Sequence, residues 1–129
     1  MLSSMPMLGG VRLTPLPRSV LPSVMEVRAP VADSEYGDEW SDPVTVSHVR
    51  FQRAADLALV SVGGAQPGYV FRDGSRGLVY VDAATSEGAF EVPEGSRVSV
   101  DGGDAMEVAR VTRCDHMDGT CHHWELEVR

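Results

Sequence analysis

The chain has 129 residues, a hydrophobic content of 43% and a formal net charge of −8, which fits one folded domain with a substantial core. This acidic balance argues against a sequence-reading nucleic-acid binder, which usually carries a basic patch, and leaves only passive proximity to DNA. No apolar run reaches the ~18 to 20 residues of a transmembrane helix, and two cysteines are too few for a disulfide framework. We therefore expect no membrane span and folding in a reducing cytosol.

The beginning of the chain is broken up by proline and glycine. Residues 1–24 lack the continuous apolar segment of a signal peptide, because prolines and glycines interrupt them. We expect residues 1–14 to form a flexible N-terminal arm and residues 15–129 to form one domain. Prolines at positions 15, 17 and 22 limit any helix to a single turn near Arg18, because each proline removes a donor and restricts the residue before it. Residues 23–29 then have the composition of a strand.

Residues 31–42 are acidic and rich in turn formers, and are predicted to be an exposed loop. The acids lack the regular spacing around a central glycine that calcium loops require, so calcium binding is not expected. Two aromatic side chains, Tyr36 and Trp40, lie in this loop. They either anchor an interface with a partner or fold back onto the domain.

Residues 43–53 form a stronger strand candidate in which the apolar positions change parity between Val46 and Val49. Such a change indicates a β-bulge near Ser47 or His48, a common device for bending a strand around a small barrel. Residues 54–62 fit a short helix and a strand equally well.

Residues 63–77 are rich in glycine and are predicted to be a long loop. Without a hydrophobic period such a loop cannot offset its ordering entropy, so we expect it to be mobile in the isolated subunit. Its apolar triplet, residues 69–71, suggests a segment that orders against a neighbouring subunit, for example by adding a strand to an exposed edge. Deleting residues 66–75 should then leave the monomer's melting temperature nearly unchanged and abolish assembly.

The remaining residues predict several short strands separated by turns. Residues 78–83 are typical of a buried strand, and turns follow at residues 85–88 and 93–96. The last third, residues 98–129, reads as a three-stranded meander with turns at residues 101–104 and 115–120. The pattern predicts an all-β fold, a small antiparallel barrel or sandwich with long loops.

Trp124, Leu126 and Val128 alternate with polar residues in the last predicted strand. We expect this apolar set to face the core, with Trp124 packing near Val98, Val100, Met106 and Val108, and the set His123, Glu125, Glu127 and Arg129 to face outward.

One cluster carries the chemistry of a metal site: Cys114, His116, Cys121, His122 and His123 lie within ten residues. Thiolate and imidazole are the ligands that zinc prefers, and a hairpin could bring the two cysteines together. A small zinc-binding module using Cys114, His116, Cys121 and His122 is therefore one hypothesis. The spacing matches no zinc knuckle or ribbon. In the alternative interpretation the cysteines are small hydrophobic residues and the histidines flank a strand that begins at Trp124.

No catalytic site is legible in the sequence. The glycines of residues 63–77 lack the Gly-Lys-Ser/Thr ending and following helix of a phosphate-binding loop, and no nucleophile-elbow sequence occurs. We therefore expect neither an enzyme nor a bound cofactor.

Several short stretches spread over residues 15–129 form a pattern of strand markers. They are Pro15-Leu16-Pro17-Arg18-Ser19-Val20-Leu21-Pro22-Ser23-Val24, Tyr36-Gly37-Asp38-Glu39-Trp40 with Val49-Arg50-Phe51, Leu78-Val79-Tyr80-Val81-Asp82-Ala83, Phe90 with the strand entry at residues 95–101, and His122-His123-Trp124-Glu125-Leu126. Together they resemble the minor capsid proteins of tailed bacteriophages and prophages. The double histidine before tryptophan is the most distinctive marker. The cysteine pair departs from that family's pattern.

The resemblance implies a structural role in the virion, near the head–tail connection. Small β-barrel subunits there form rings between the portal and the tail and close the filled head. The expected partners are portal or adaptor proteins, tail proteins and further copies of the chain, in the virion and in the host cytoplasm during assembly. The resemblance carries over no catalytic residues.

Overall fold

The computed structural model describes residues 13–31, 39–55 and 74–129. In this part of the chain the alternating apolar segments form six strands. They are β1 (Ser23–Arg28), β2 (Val44–Arg53), β3 (Gly77–Asp82), β4 (Arg97–Val100), β5 (Met106–Asp115) and β6 (Cys121–Val128). A single 3-10 turn, Arg18–Val20, precedes β1, at the position where the proline spacing allows one turn.

The six strands form one closed antiparallel barrel in the order β1-β2-β3-β6-β5-β4. Strand β4 closes the barrel against β1, with Met25 opposite Val100 and Val27 opposite Val98. The prediction of an all-β fold is confirmed, and of the two architectures considered the chain adopts the barrel. Closure pairs both edges of the sheet, which removes the exposed edge strands that an open sheet would present.

The barrel interior is filled mainly by valines that alternate with outward-facing residues. In β1, for example, Met25 and Val27 are buried while Val24 and Glu26 are exposed. The core comprises Met25, Val27, Val46, Val49, Val79, Val81, Val92, Val98, Met106, Val108, Trp124, Leu126 and Val128. Trp124 therefore shares one core with Val98, Met106 and Val108, as predicted, and Val100 packs against the same core.

The predicted bulge in β2 is confirmed at His48. Ser23 pairs with Val49 and Val24 with Ser47, so His48 is the extra residue, with φ of 59°. The bulge lets both Val46 and Val49 point into the core although they are three residues apart. The change in parity between Val46 and Val49 is thus caused by the bulge, which keeps both side chains in the core.

Trp40 folds back onto the domain. Its backbone bridges to Pro30, and the Arg97 guanidinium lies 4.6 Å from the centre of the indole ring, a cation–π geometry. Of the two alternatives, an interface anchor or a side chain folded back onto the domain, Trp40 therefore fits the latter. Tyr36 lies outside the described residues.

The predicted loop at residues 63–77 and the ambiguous segment at residues 54–62 lie largely outside the described part of the chain. At the C-terminal end of that loop, Gly77 is already the first residue of β3, where it pairs with Arg53 and Val128. The Arg76 N–H donates to the Val128 carbonyl. The strand therefore starts one residue earlier than the sequence predicted.

Gly77→Ala should destabilise the protein strongly. At Gly77 φ is +148°, and an added Cβ would lie 2.1 Å from the Gln52 carbonyl oxygen and 2.9 Å from the Arg53 Cα. Because both neighbours are backbone atoms of β2, they cannot rotate away, and we expect a loss of at least about 1 to 3 kcal/mol. Gly74→Ala is the matched control, since it also has a positive φ but meets nothing within 4 Å. Urea unfolding of both variants checks the prediction, and equal losses would contradict it.

Candidate functional site

The candidate site lies at one end of the barrel, where three distant parts of the chain meet. Tyr80 and Asp82 of β3 pair with Glu125 and His123 of β6, and β5 brings Cys114 opposite His123 on the other side. We call residues 13–22 the N-terminal strap, since they run across this end of the barrel. The site is thus assembled by the central strand β6 between its two neighbours.

The structure groups one of the two cysteines with different partners from those predicted. Donor atoms of Cys114, His123 and Glu125 lie within 4.8 Å of one another. In the described residues, no group of three or more such donors contains His116, Cys121 or His122. Instead, the Cys121 thiol contacts the His123 carbonyl oxygen at 3.5 Å, and both cysteines are free.

Glu125 is the member of this group that the sequence analysis missed. Residues two apart on a strand share a face. Because β6 begins at Cys121, His123 and Glu125 lie on the same face, and this spacing was the signal that could have identified Glu125. The interpretation in which the histidines flank a strand beginning at Trp124 is wrong on this point. Both histidines lie within the strand, and His122 is buried on the Trp124 side.

The Cys114 thiol is not an activated nucleophile. Burial, together with the neighbouring Glu125 carboxylate, raises the pKa of Cys114 to about 11, so the group is a protonated thiol at neutral pH. Its S–H points to Glu125 Oε2 at 3.6 Å. Reactive cysteines have a lowered pKa in an electropositive setting, and this site offers the opposite. Burial also raises the pKa of Cys121.

A continuous row of hydrogen bonds links the strap to Glu125 through two histidines. The Thr14 carbonyl lies 2.8 Å from His122 Nε2, His122 Nδ1 lies 2.8 Å from His123 Nδ1, and His123 Nε2 lies 2.9 Å from Glu125 Oε2. A carbonyl and a carboxylate can only accept, so the two imidazole rings lie between two acceptors.

The hydrogen bond from His123 lowers the pKa of Glu125 below its ordinary value. His116 extends the cluster, because its ring packs edge-on against that of His122 with 5.1 Å between centroids. The outcome is a compact group of imidazole rings held between the strap and a carboxylate.

The same end of the barrel fastens the strap through further contacts. The Leu13 N–H donates to His116 Nδ1 at 2.9 Å, the Leu16 N–H donates to Asp82 Oδ2 at 2.9 Å, and the Thr85 hydroxyl donates to the Leu16 carbonyl at 2.6 Å. Residues 13 and 14, predicted to belong to a flexible arm, are therefore hydrogen-bonded to the barrel. The rest of that predicted arm, residues 1–12, lies outside the described residues.

Asp82→Asn should weaken the strap and the turn after β3 together. The buried Asp82 carboxylate accepts N–H groups from Leu16, Ala84 and Thr85. Burial alone would raise its pKa, but these donors, aided by His122, hold the pKa of Asp82 below its ordinary value. Hydrogen bonds to a charged group contribute about 1.5 to 3 kcal/mol each to stability, and we expect an overall loss in that range at pH 7.

The pH dependence follows from the lowered pKa of Asp82. A carboxyl whose folded pKa is depressed stabilises the fold above its unfolded pKa, about 4, and loses that contribution as pH falls through the folded pKa. The difference in melting temperature between wild type and Asp82→Asn should therefore be largest at neutral pH and shrink below about pH 4. A difference that stayed constant down to pH 2 would contradict this role.

A separate cleft of about 460 Å³ is lined by residues that include Phe51, Arg53, Ala54, Val100 and Met106. None of the described residues that line it is a histidine or a cysteine. It is therefore distinct from the candidate site.

Within residues 13–31, 39–55 and 74–129, no helix is long and apolar enough to cross a membrane. Comparison of the chain with protein-family models, with curated proteins and with solved structures finds no match.

Proposed function

We propose that this protein is a structural subunit of a tailed phage or prophage particle, a minor capsid or head-completion protein at the head–tail connection. It joins a ring between the portal and the tail and performs no catalysis. Its partners in this role are portal or adaptor proteins, tail proteins and further copies of itself. Its places of action are the virion and the host cytoplasm during assembly.

One observation carries the proposal: three markers of the family resemblance, far apart in the sequence, meet in space. The proline-flanked opening forms the strap, the β3 marker includes Asp82, and the double histidine with Trp124 lies in β6. Leu16 binds Asp82, His122 binds the Thr14 carbonyl, and Val81 pairs with Trp124. Contacts between these markers support treating them as one pattern.

Two properties of the chain support the structural role over catalysis. The Cys114 thiol, with its pKa raised to about 11, is unsuited to nucleophilic attack at neutral pH. The net charge of −8 suits a channel wall that DNA must pass without sticking, because an acidic surface repels phosphates.

Deleting the gene from an inducible prophage tests the proposal directly. We expect heads and tails to accumulate separately, with few joined particles in electron micrographs, and a plasmid copy of the gene to restore tailed particles. Purified protein mixed with portal complexes should also shift the portal to a higher mass in mass photometry. Normal yields of tailed particles after deletion, together with no binding to portal or tail proteins, would overturn the proposal. A cheap first check is whether neighbouring genes encode portal, capsid and tail proteins.

A further inference from the structure

We propose that Cys114, His123 and Glu125 bind one zinc ion at the strap end of the barrel. This inference goes beyond the virion role and is independent of it. It also differs from the zinc hypothesis based on the sequence, because it uses Glu125 and leaves out Cys121, His116 and His122 as ligands. The site is made by the pairing of β5 with β6, not by a cysteine pair.

The donor set has the composition that zinc prefers. One sulfur, one imidazole nitrogen and one carboxylate oxygen lie within 4.8 Å of one another, a spacing that small side-chain movements can close to the 2.0 to 2.3 Å of zinc–ligand bonds. Magnesium and calcium favour all-oxygen sites, whereas sulfur and imidazole select zinc and similar metals. The three groups are half-buried on a rigid sheet, which keeps them in place.

The contacts within the group provide the second argument. His123 Nε2 lies 2.9 Å from Glu125 Oε2, and the Cys114 Sγ lies 3.6 Å from the same Oε2. The three donor atoms therefore converge on one another across the pairing of β5 with β6.

Hydrogen bonds on the far side of the His123 ring fix its orientation, as is usual for a histidine that binds a metal. With Nε2 on the metal, Nδ1 carries the proton and donates to His122 Nδ1, whose own Nε2–H donates to the Thr14 carbonyl. Such second partners fix the tautomer and ring direction of a ligating histidine and are worth about 10- to 100-fold in metal affinity. His122 is thus a positioning residue, and His122→Phe should weaken zinc binding within that range.

Zinc binding releases the proton of the Cys114 thiol. The free site holds this thiol in its protonated form, since its pKa is raised to about 11. Zinc forms bonds to the thiolate, the imidazole nitrogen and the carboxylate, and the thiol proton goes to solvent.

Metal titration of the full chain, purified without a histidine tag and stripped with a chelator, tests the proposal. We expect one equivalent of zinc to bind with submicromolar affinity in competition with a chromogenic chelator. Cobalt should bind at the same site and give the near-ultraviolet absorption of a cobalt–thiolate bond. Calorimetry in buffers of different ionisation enthalpy should show one proton fewer released per zinc for Cys114→Ala than for wild type.

Three variants separate the site from other thiols and from misfolding. Cys114→Ala should abolish the cobalt–thiolate absorption and weaken zinc binding by roughly a hundredfold, whereas Cys121→Ala should leave both unchanged. Glu125→Gln, which keeps the size of the side chain, should also weaken zinc roughly a hundredfold. Melting curves without metal show which variants are folded. Absence of zinc binding by wild type, or cobalt–thiolate absorption that survives Cys114→Ala and disappears in Cys121→Ala, would overturn the proposal.

Discussion

Trp124→Ala should lower the free energy of unfolding by about 3 to 5 kcal/mol. The side chain is 8% exposed and belongs to the main core with Val81, its cross-strand partner. Its indole N–H also donates to Glu91 Oε1 at 3.1 Å, so truncation removes a large aromatic surface and one hydrogen bond. That loss is a large part of the ~5 to 15 kcal/mol that stabilises a typical domain.

Trp40→Ala is the matched control for this prediction. Trp40 is only half-buried and packs beneath Arg97 outside the barrel core, so its removal should cost clearly less. Thermal and urea unfolding measure both, and Trp124→Ala should melt about 10 °C or more below wild type. A Trp124→Ala protein that melts within a degree or two of wild type would mean that this side chain does not stabilise the core.

Arg110→Met should cost about 3 kcal/mol, the lower end of the range for breaking a buried ion pair. Glu127 is fully buried, and Arg110 Nη2 donates to Glu127 Oε1 at 2.8 Å. Without the guanidinium the buried Glu127 carboxylate loses this charge-assisted hydrogen bond. The lower end applies because the Arg110 side chain is 35% exposed, which lets water screen part of the interaction.

Arg129→Met provides the control, since it breaks an ion pair of the same length in an exposed place. Arg129 Nε and Glu107 Oε1 are 2.9 Å apart with side chains 50% and 45% exposed, and such surface pairs contribute about 0 to 1 kcal/mol. Adding Glu127→Gln to Arg110→Met should recover part of the lost stability, because the buried side chain is then no longer a carboxylate. Equal losses for the two arginine variants in urea unfolding would contradict the assigned role of Glu127.

Glu127 also shows where strand periodicity stops being informative. Its position in β6 predicted an outward, solvated side chain, yet it is fully buried. Alternation states which side of the strand a residue occupies, but not what lies above that side. Here β5 shifts register between Val108 and Arg110, which pairs Arg110 with Glu127.

The sequence by itself determined the features that depend on neighbouring residues. Period-two alternation and the turn residues predicted the strands. The parity change between Val46 and Val49 predicted the bulge at His48, and the alternation in β6 predicted that Trp124 lies in the core. Each of these features follows from backbone geometry over a few residues. The segments at residues 1–12, 32–38 and 56–73 lie outside the described structure, and the predictions made for them stay predictions.

Only the tertiary structure decided which chemical groups meet. The contacts of Leu13 with His116 and of Thr14 with His122 span more than 100 residues, and Cys114 reaches His123 and Glu125 only through the register of β5 on β6. Clustering of Cys and His along the sequence pointed to the correct region but to the wrong partners. Ligand geometry depends on strand pairing and barrel closure, which are set by the packing of the whole core and leave no local periodicity to read.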